Sequence, residues 1–94
     1  MKQYLLFAGS NFYPVGGWSD FQGGFDGLDD ALRHLNAQRH DVGTVRFDWA
    51  HVADASTGIV VWEGRPLRGY GYYNPPPLTL FAWEGVVGWN SEVR

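Results

Sequence analysis

No cysteine occurs among the 94 residues, charged side chains make up only 18% of them, and no charge run or long apolar stretch is present. Each absence excludes something. Without thiols there is no disulfide framework and no thiolate metal site, which fits a reducing compartment, so a cytoplasmic location is expected. The apolar run nearest the start, Tyr4 to Ala8, is too short for a signal-peptide core or a membrane span, and no membrane partner is expected. A net charge of −3 does not furnish a broad phosphate-binding face, so duplex nucleic acid is not an expected partner either. Catalytic signatures are equally missing: the sequence contains no GxGxxG opening a helix, no P-loop, no HExxH and no GxSxG. Of the three histidines, His34 and His40 are six positions apart, one on the polar side of a helical pattern and the other past its end, which does not converge on a metal. No cofactor, metal or catalytic residue is assigned.

Aromatic residues, at 17%, are what the chain has in abundance, and with 45% hydrophobic residues they place it among folding, not disordered, sequences. Its length suits one domain, residues 1–94, with one modest core. Tyr4 to Ala8 reads as a central strand, apolar on both faces. A long connection rich in glycine and aromatics follows, from Tyr13 to Gly27. Asp26 is predicted to cap a helix whose apolar stripe is Leu28, Ala31, Leu32 and Leu35, with Asp29 and Asp30 at the positive end of its dipole. From Thr44 the period becomes two: Val45, Phe47 and Trp49 share one face, and His51 continues on the Trp49 side. Asp54 to Gly58 is turn chemistry, and Ile59 to Trp62 returns as the second strand of a hairpin. Residues 1–63 thus read as a β-loop-α-β-β core. The predicted class is α+β, with one helix on one face of a small antiparallel or mixed sheet. Residues 64–94 read as a Gly/Tyr/Pro-rich segment in which Leu78 to Trp83 supplies an edge strand, open to homo-oligomer formation through residues 78–83.

Two aromatic groups carry the functional expectation. Phe12, Tyr13, Trp18, Phe21 and Phe25 lie among glycines, which let the backbone approach another group closely. They line a pocket, or Trp18, Phe21 and Phe25 fold over the sheet and fill the core. Tyr13 and Trp18, flanked by turn residues and carrying polar handles, are the contact candidates, with Asp20 beside them. The second group, Tyr70, Tyr72 and Tyr73 before the triple proline, forms a low-entropy recognition surface with Arg65 and Arg68 nearby. A non-catalytic binding protein is the preferred reading. One alternative is a nucleotide-binding sponge, with a base stacked on tryptophan and tyrosine and phosphate held by Arg65 or Arg68. The other is a small hydrolase using His51 with Asp20 or Asp48, although strand alternation sends Asp48 to the face opposite His51.

The order Phe7-Ala8-Gly9, Tyr13-Pro14, Gly16-Gly17-Trp18, Asp20-Phe21, Gly23, Phe25, Leu28, Ala31, then Asp48-Trp49, Val52, Asp54, Thr57-Gly58 and Ile59-Val60 resembles small uncharacterised proteins of bacteriophages and prophages. The distinctive part is YPxGGWxDFxG. The resemblance implies a phage accessory protein acting in the host cytoplasm, binding a host protein such as a defence protein, or else sequestering its nucleotide signal. It brings no catalytic residues.

Overall fold

The computed structural model describes residues 2–10 and 20–87. Five strands and one helix follow in the order β1 (Tyr4–Gly9), β2 (Phe21–Phe25), α1 (Leu28–Ala37), β3 (Trp49–Asp54), β4 (Val60–Pro66) and β5 (Trp83–Val87). The strands form one sheet in the order β2-β1-β3-β4-β5, and every neighbouring pair is antiparallel. This is an α+β fold. β1 has partners on both sides, as its two apolar faces require.

β2 is the first departure from expectation, because it lies within the stretch read as a connection. Its glycines are the reason. Tyr4, Leu5 and Leu6 pair with Phe25, Gly24 and Gly23, and the register then slips so that Phe7 faces Phe21 and Gln22 is the extra residue of a bulge. Gly23 takes φ +148°, and the Gln22 amide holds the bulge by donating to the carbonyls of Ala8 at 3.2 Å and Asp20 at 3.1 Å.

α1 buries Ala31 and Leu35 completely, with Leu28 and Leu32 flanking them, on the predicted stripe. Its cap is not the predicted one. Gly27 occupies the N-cap position without a side-chain hydrogen bond, and the Asp26 carboxylate instead accepts from Lys2 Nζ at 3.1 Å. Beyond the helix, Arg39 donates through Nε to the Asn36 carbonyl at 2.9 Å and through Nη1 to both the Gly43 and Pro76 carbonyls, tying down the helix end and the proline segment together.

The strand expected from Thr44 begins only at Trp49. Before it, Val45 bridges Arg39, and the Arg46 N–H donates to the Gln38 carbonyl. These bonds pull Val45 and Phe47 onto the core, the opposite side from Trp49. The hairpin turn matches its prediction: Asp54 Oδ1 accepts from the Ser56 backbone and hydroxyl at 2.9 and 2.7 Å, and Gly58 takes φ +75°.

The predicted edge strand Leu78 to Trp83 is a correction. Only Trp83 belongs to a strand, and β5 runs on to Val87. The triple proline leads into a turn closed by Leu80 N–H to the Pro77 carbonyl, and the polar groups that a ladder would use are taken elsewhere. Asn36 Nδ2 donates to the Leu80 carbonyl at 3.1 Å, while its Oδ1 accepts from the Ala82 N–H at 2.8 Å. The expected self-association through residues 78–83 therefore loses the strand it required.

On the helix side of the sheet, the core comprises Leu6, Ala8, Ala50, Val52, Trp62, Ala82 and Trp83 with Ala31 and Leu35. Trp62 lies across Gly64 and Gly85: a Cβ on either would come within 2.5 Å of the indole. That close approach requires glycine at both positions.

Candidate functional site

Antiparallel strands put alternate residues on opposite faces, so the face away from α1 is assembled from the residues between those of the core. One row across it follows from the pairings: Phe21 on β2, Phe7 on β1, His51 on β3, Glu63 on β4 and Val86 on β5. The neighbouring row contains Gly9, Trp49, Arg65 and Glu84. Ring centroids link the two: Phe7 to Phe21 at 5.6 Å, Phe7 to His51 at 5.3 Å, and Trp49 to His51 at 5.6 Å in a stacked arrangement with planes 24° apart. The indole of Trp49 is set by close approach to Gly9, where an added Cβ would sit 2.7 Å from it.

Beside this stack the face hollows into a concavity of about 960 Å³. Trp49 and His51 form one wall, Glu63 and Arg65 the floor strand, Glu84 and Val86 the edge, and Asp48 and Arg68 the end. The side chains of Glu63, Glu84, Arg65 and Arg68 make no hydrogen bond or ion pair among the described residues. Burial lowers the His51 pKa from its ordinary value, and the negative charges of Glu63 and Asp20 partly restore it. The net effect favours the neutral imidazole.

The sequence-predicted residues scatter in part and converge in part. Tyr13 and Trp18, together with Phe12, fall outside the described residues. Asp20 is buried, 5% exposed, and close enough to act electrostatically on His51. Arg65 and Arg68 both line the concavity. Tyr70 and Tyr72 line a smaller groove of about 250 Å³, which meets the concavity at Asp48 and Pro66. Tyr73, at 96% exposed, projects from the same turn. Of the glycine-flanked rings, Phe25 packs against the core and contacts His34, whereas Phe21 lies on the open face at 39% exposed. His51 and Asp20 are near one another as the hydrolase alternative required, while the Asp48 carboxylate accepts from Ser10 Oγ at 3.2 Å. Sequence reasoning did not single out Glu63, Glu84 or the Trp49 face as site features.

Comparison with known proteins gives two matches. A family model described as Bacteriophage T4 protein Y07C matches residues 4–64. An uncharacterised 16.0 kDa protein in the segB-ipI intergenic region of Enterobacteria phage T4 is 39% identical over 64 residues, 65% of this chain. The match spans 46% of that relative's length, less than half of it. No solved structure matches. The matched span contains the ring row from Phe7 to Glu63 and the whole helix; β5, Arg65, Arg68 and the tyrosine turn lie beyond it.

Proposed function

The chain belongs to the family of the bacteriophage T4 protein Y07C, and on that premise we propose that it is a phage accessory protein that acts by binding. It works non-catalytically in the host cytoplasm. Its target is a host protein, in the preferred version a defence protein that it inhibits. The contact surface is the open sheet face with the adjoining Tyr70–Tyr73 turn. One observation carries this reading. On that face, the side chains of two glutamates and two arginines, which make no hydrogen bond or ion pair among the described residues, stand beside a fixed ring stack. Charged groups left unpaired beside aromatic rings are what an interface uses for specificity and anchorage.

A nucleotide ligand is the second reading, and its support is that Arg65 and Arg68 share the concavity with Trp49. Asp48, Glu63 and Glu84 in the same lining oppose a phosphate. Capture from a bacterial lysate tests both. The immobilised protein is compared with a Glu84→Lys, Tyr73→Ala variant and with Asp29→Lys, a change on the helix side. A host protein retained stoichiometrically by the wild type and by Asp29→Lys, but lost by the double variant, supports the proposal. Equal retention by all three, or none by any, overturns it. Release of an intact nucleotide on heat denaturation supports the second reading instead.

A further inference from the structure

We propose that the concavity on the open face is a receptor for an organic cation, the guanidinium of an arginine side chain on the partner protein. The inference rests on the binding reading above and names the chemistry of the partner. The wall of the site is aromatic: Trp49 and His51 stack at 5.6 Å, and Phe7 abuts His51 at 5.3 Å. Ring faces carry the negative part of the aromatic quadrupole, and indole is the best of them for a cation. The carboxylates stand around this wall. Glu63 pairs with His51 across β3 and β4, and Glu84 sits one strand further out, opposite Arg65.

The field has the sign the proposal needs. The lining holds three carboxylates, Asp48, Glu63 and Glu84, against two guanidiniums, Arg65 and Arg68, and burial disfavours a charge on His51. At the imidazole itself the charges felt are those of Glu63 and Asp20, both negative. Neither Glu63 nor Glu84 spends its oxygens on a hydrogen bond or ion pair among the described residues. A guanidinium fits better than an ammonium because it is planar. It lies flat on the indole while its edge N–H groups reach carboxylates. A dianionic phosphate in the same place would meet an unfavourable field.

Protonation of His51 works against the cation. Facing the imidazole are Phe7 from β1, Trp49 beside it on β3, Glu63 from β4 and Asp20 ahead of β2, so a positive charge there cancels part of the attraction. Binding therefore weakens as pH falls through the His51 pKa.

The test follows the Trp49 indole N–H by NMR while N-acetylargininamide, N-acetyllysinamide, adenosine monophosphate and inorganic phosphate are added in separate titrations. A saturable shift with the arginine probe is expected, weaker with the lysine probe, reduced about tenfold or more by Glu63→Gln with Glu84→Gln, and reduced again as pH falls through the His51 pKa. No saturable shift with arginine, a shift indifferent to both glutamates, or saturation by the phosphate-bearing probes alone would overturn the proposal. Lysate capture reports separately. A host protein held through the tyrosine turn with no arginine response sinks the cation receptor and leaves the binding role standing. An arginine response with no captured protein does the reverse.

Discussion

Along β3, residues 50 and 52 and residues 49 and 51 live in different solvents, although one chain of six residues carries them all. Ala50 and Val52 are at most 1% exposed in the core on the helix side, whereas Trp49 and His51 face a concavity with charged walls. The same division runs through β4, where Trp62 is buried and its successor Glu63 is exposed. On the helix side, Gly64 and Gly85 leave the space that the Trp62 indole fills. On the open side, rings touch in a row, and the side chains of Glu63, Glu84, Arg65 and Arg68 make no hydrogen bond or ion pair among the described residues. The first surface is specified by packing, the second by electrostatics, and the two should respond to mutation differently.

Truncating a tryptophan on each face tests that difference with the largest expected effect. Trp62→Ala empties the space above Gly64 and Gly85 and should cost about 3–5 kcal/mol of unfolding free energy. Trp49→Ala leaves a surface depression that water fills, and should cost less than half of that. Urea midpoints for the pair measure it; equal losses would mean that the open face is a second core. Next in size is Asn36→Ala. It removes the side chain that accepts from the Ala82 N–H and donates to the Leu80 carbonyl, and should cost about 1–3 kcal/mol. Faster hydrogen exchange at Ala82, with β1 unaffected, would show that the damage stays on the segment it tethers.

Smaller effects come from protons. The folded His51 has a pKa below 6.5, so the unfolded chain binds the proton more readily. Its contribution to stability is complete above the unfolded value and is lost as pH falls from about 6.5 toward the folded pKa. His51→Gln should flatten that part of the stability–pH curve. Asp54 acts in a lower window. Hydrogen bonds from Ser56 lower its pKa from 3.8, and the stability they confer is present above that value and lost as pH falls through the folded pKa. Asp54→Ala should remove this acid-range slope and leave the His51 slope intact, which separates a turn shared by both faces from a group belonging to one.

How far these contrasts could be read from sequence depended on whether the signal was local. The helix stripe at Leu28, Ala31, Leu32 and Leu35 and the Asp54-to-Gly58 turn were legible because each is settled within a few residues. Register was not. From the Asp54–Ile59 closure of the hairpin, plain counting sets His51 opposite Trp62. The bulge between Val52 and Ala53 adds one residue to β4, turns Trp62 into the core and brings Glu63 opposite His51. One residue therefore decided which face received an indole and which a carboxylate. β2 was missed for a related reason. Phe21 to Phe25 carries two glycines, which count against a strand in isolation, yet here they accommodate the bulge and the pairing with β1. At Leu78 to Trp83 the apolar composition suggested a ladder, but a distant side chain, Asn36, takes the Leu80 carbonyl and the Ala82 N–H.

The smallest expected effect is the most discriminating. Glu84→Gln alters an exposed side chain on β5 that has no hydrogen bond or ion pair among the described residues, so its effect on unfolding should stay within about 0.5 kcal/mol. If the open face were held together by its charges, as the helix face is by its packing, removing Glu84 would leave Arg65 opposite it without a counter-charge and lower the midpoint measurably. A midpoint unchanged in low salt, where surface charge interactions are strongest, would place the role of this carboxylate outside folding. Its charge would then matter only when another molecule supplies the partner that the sheet does not.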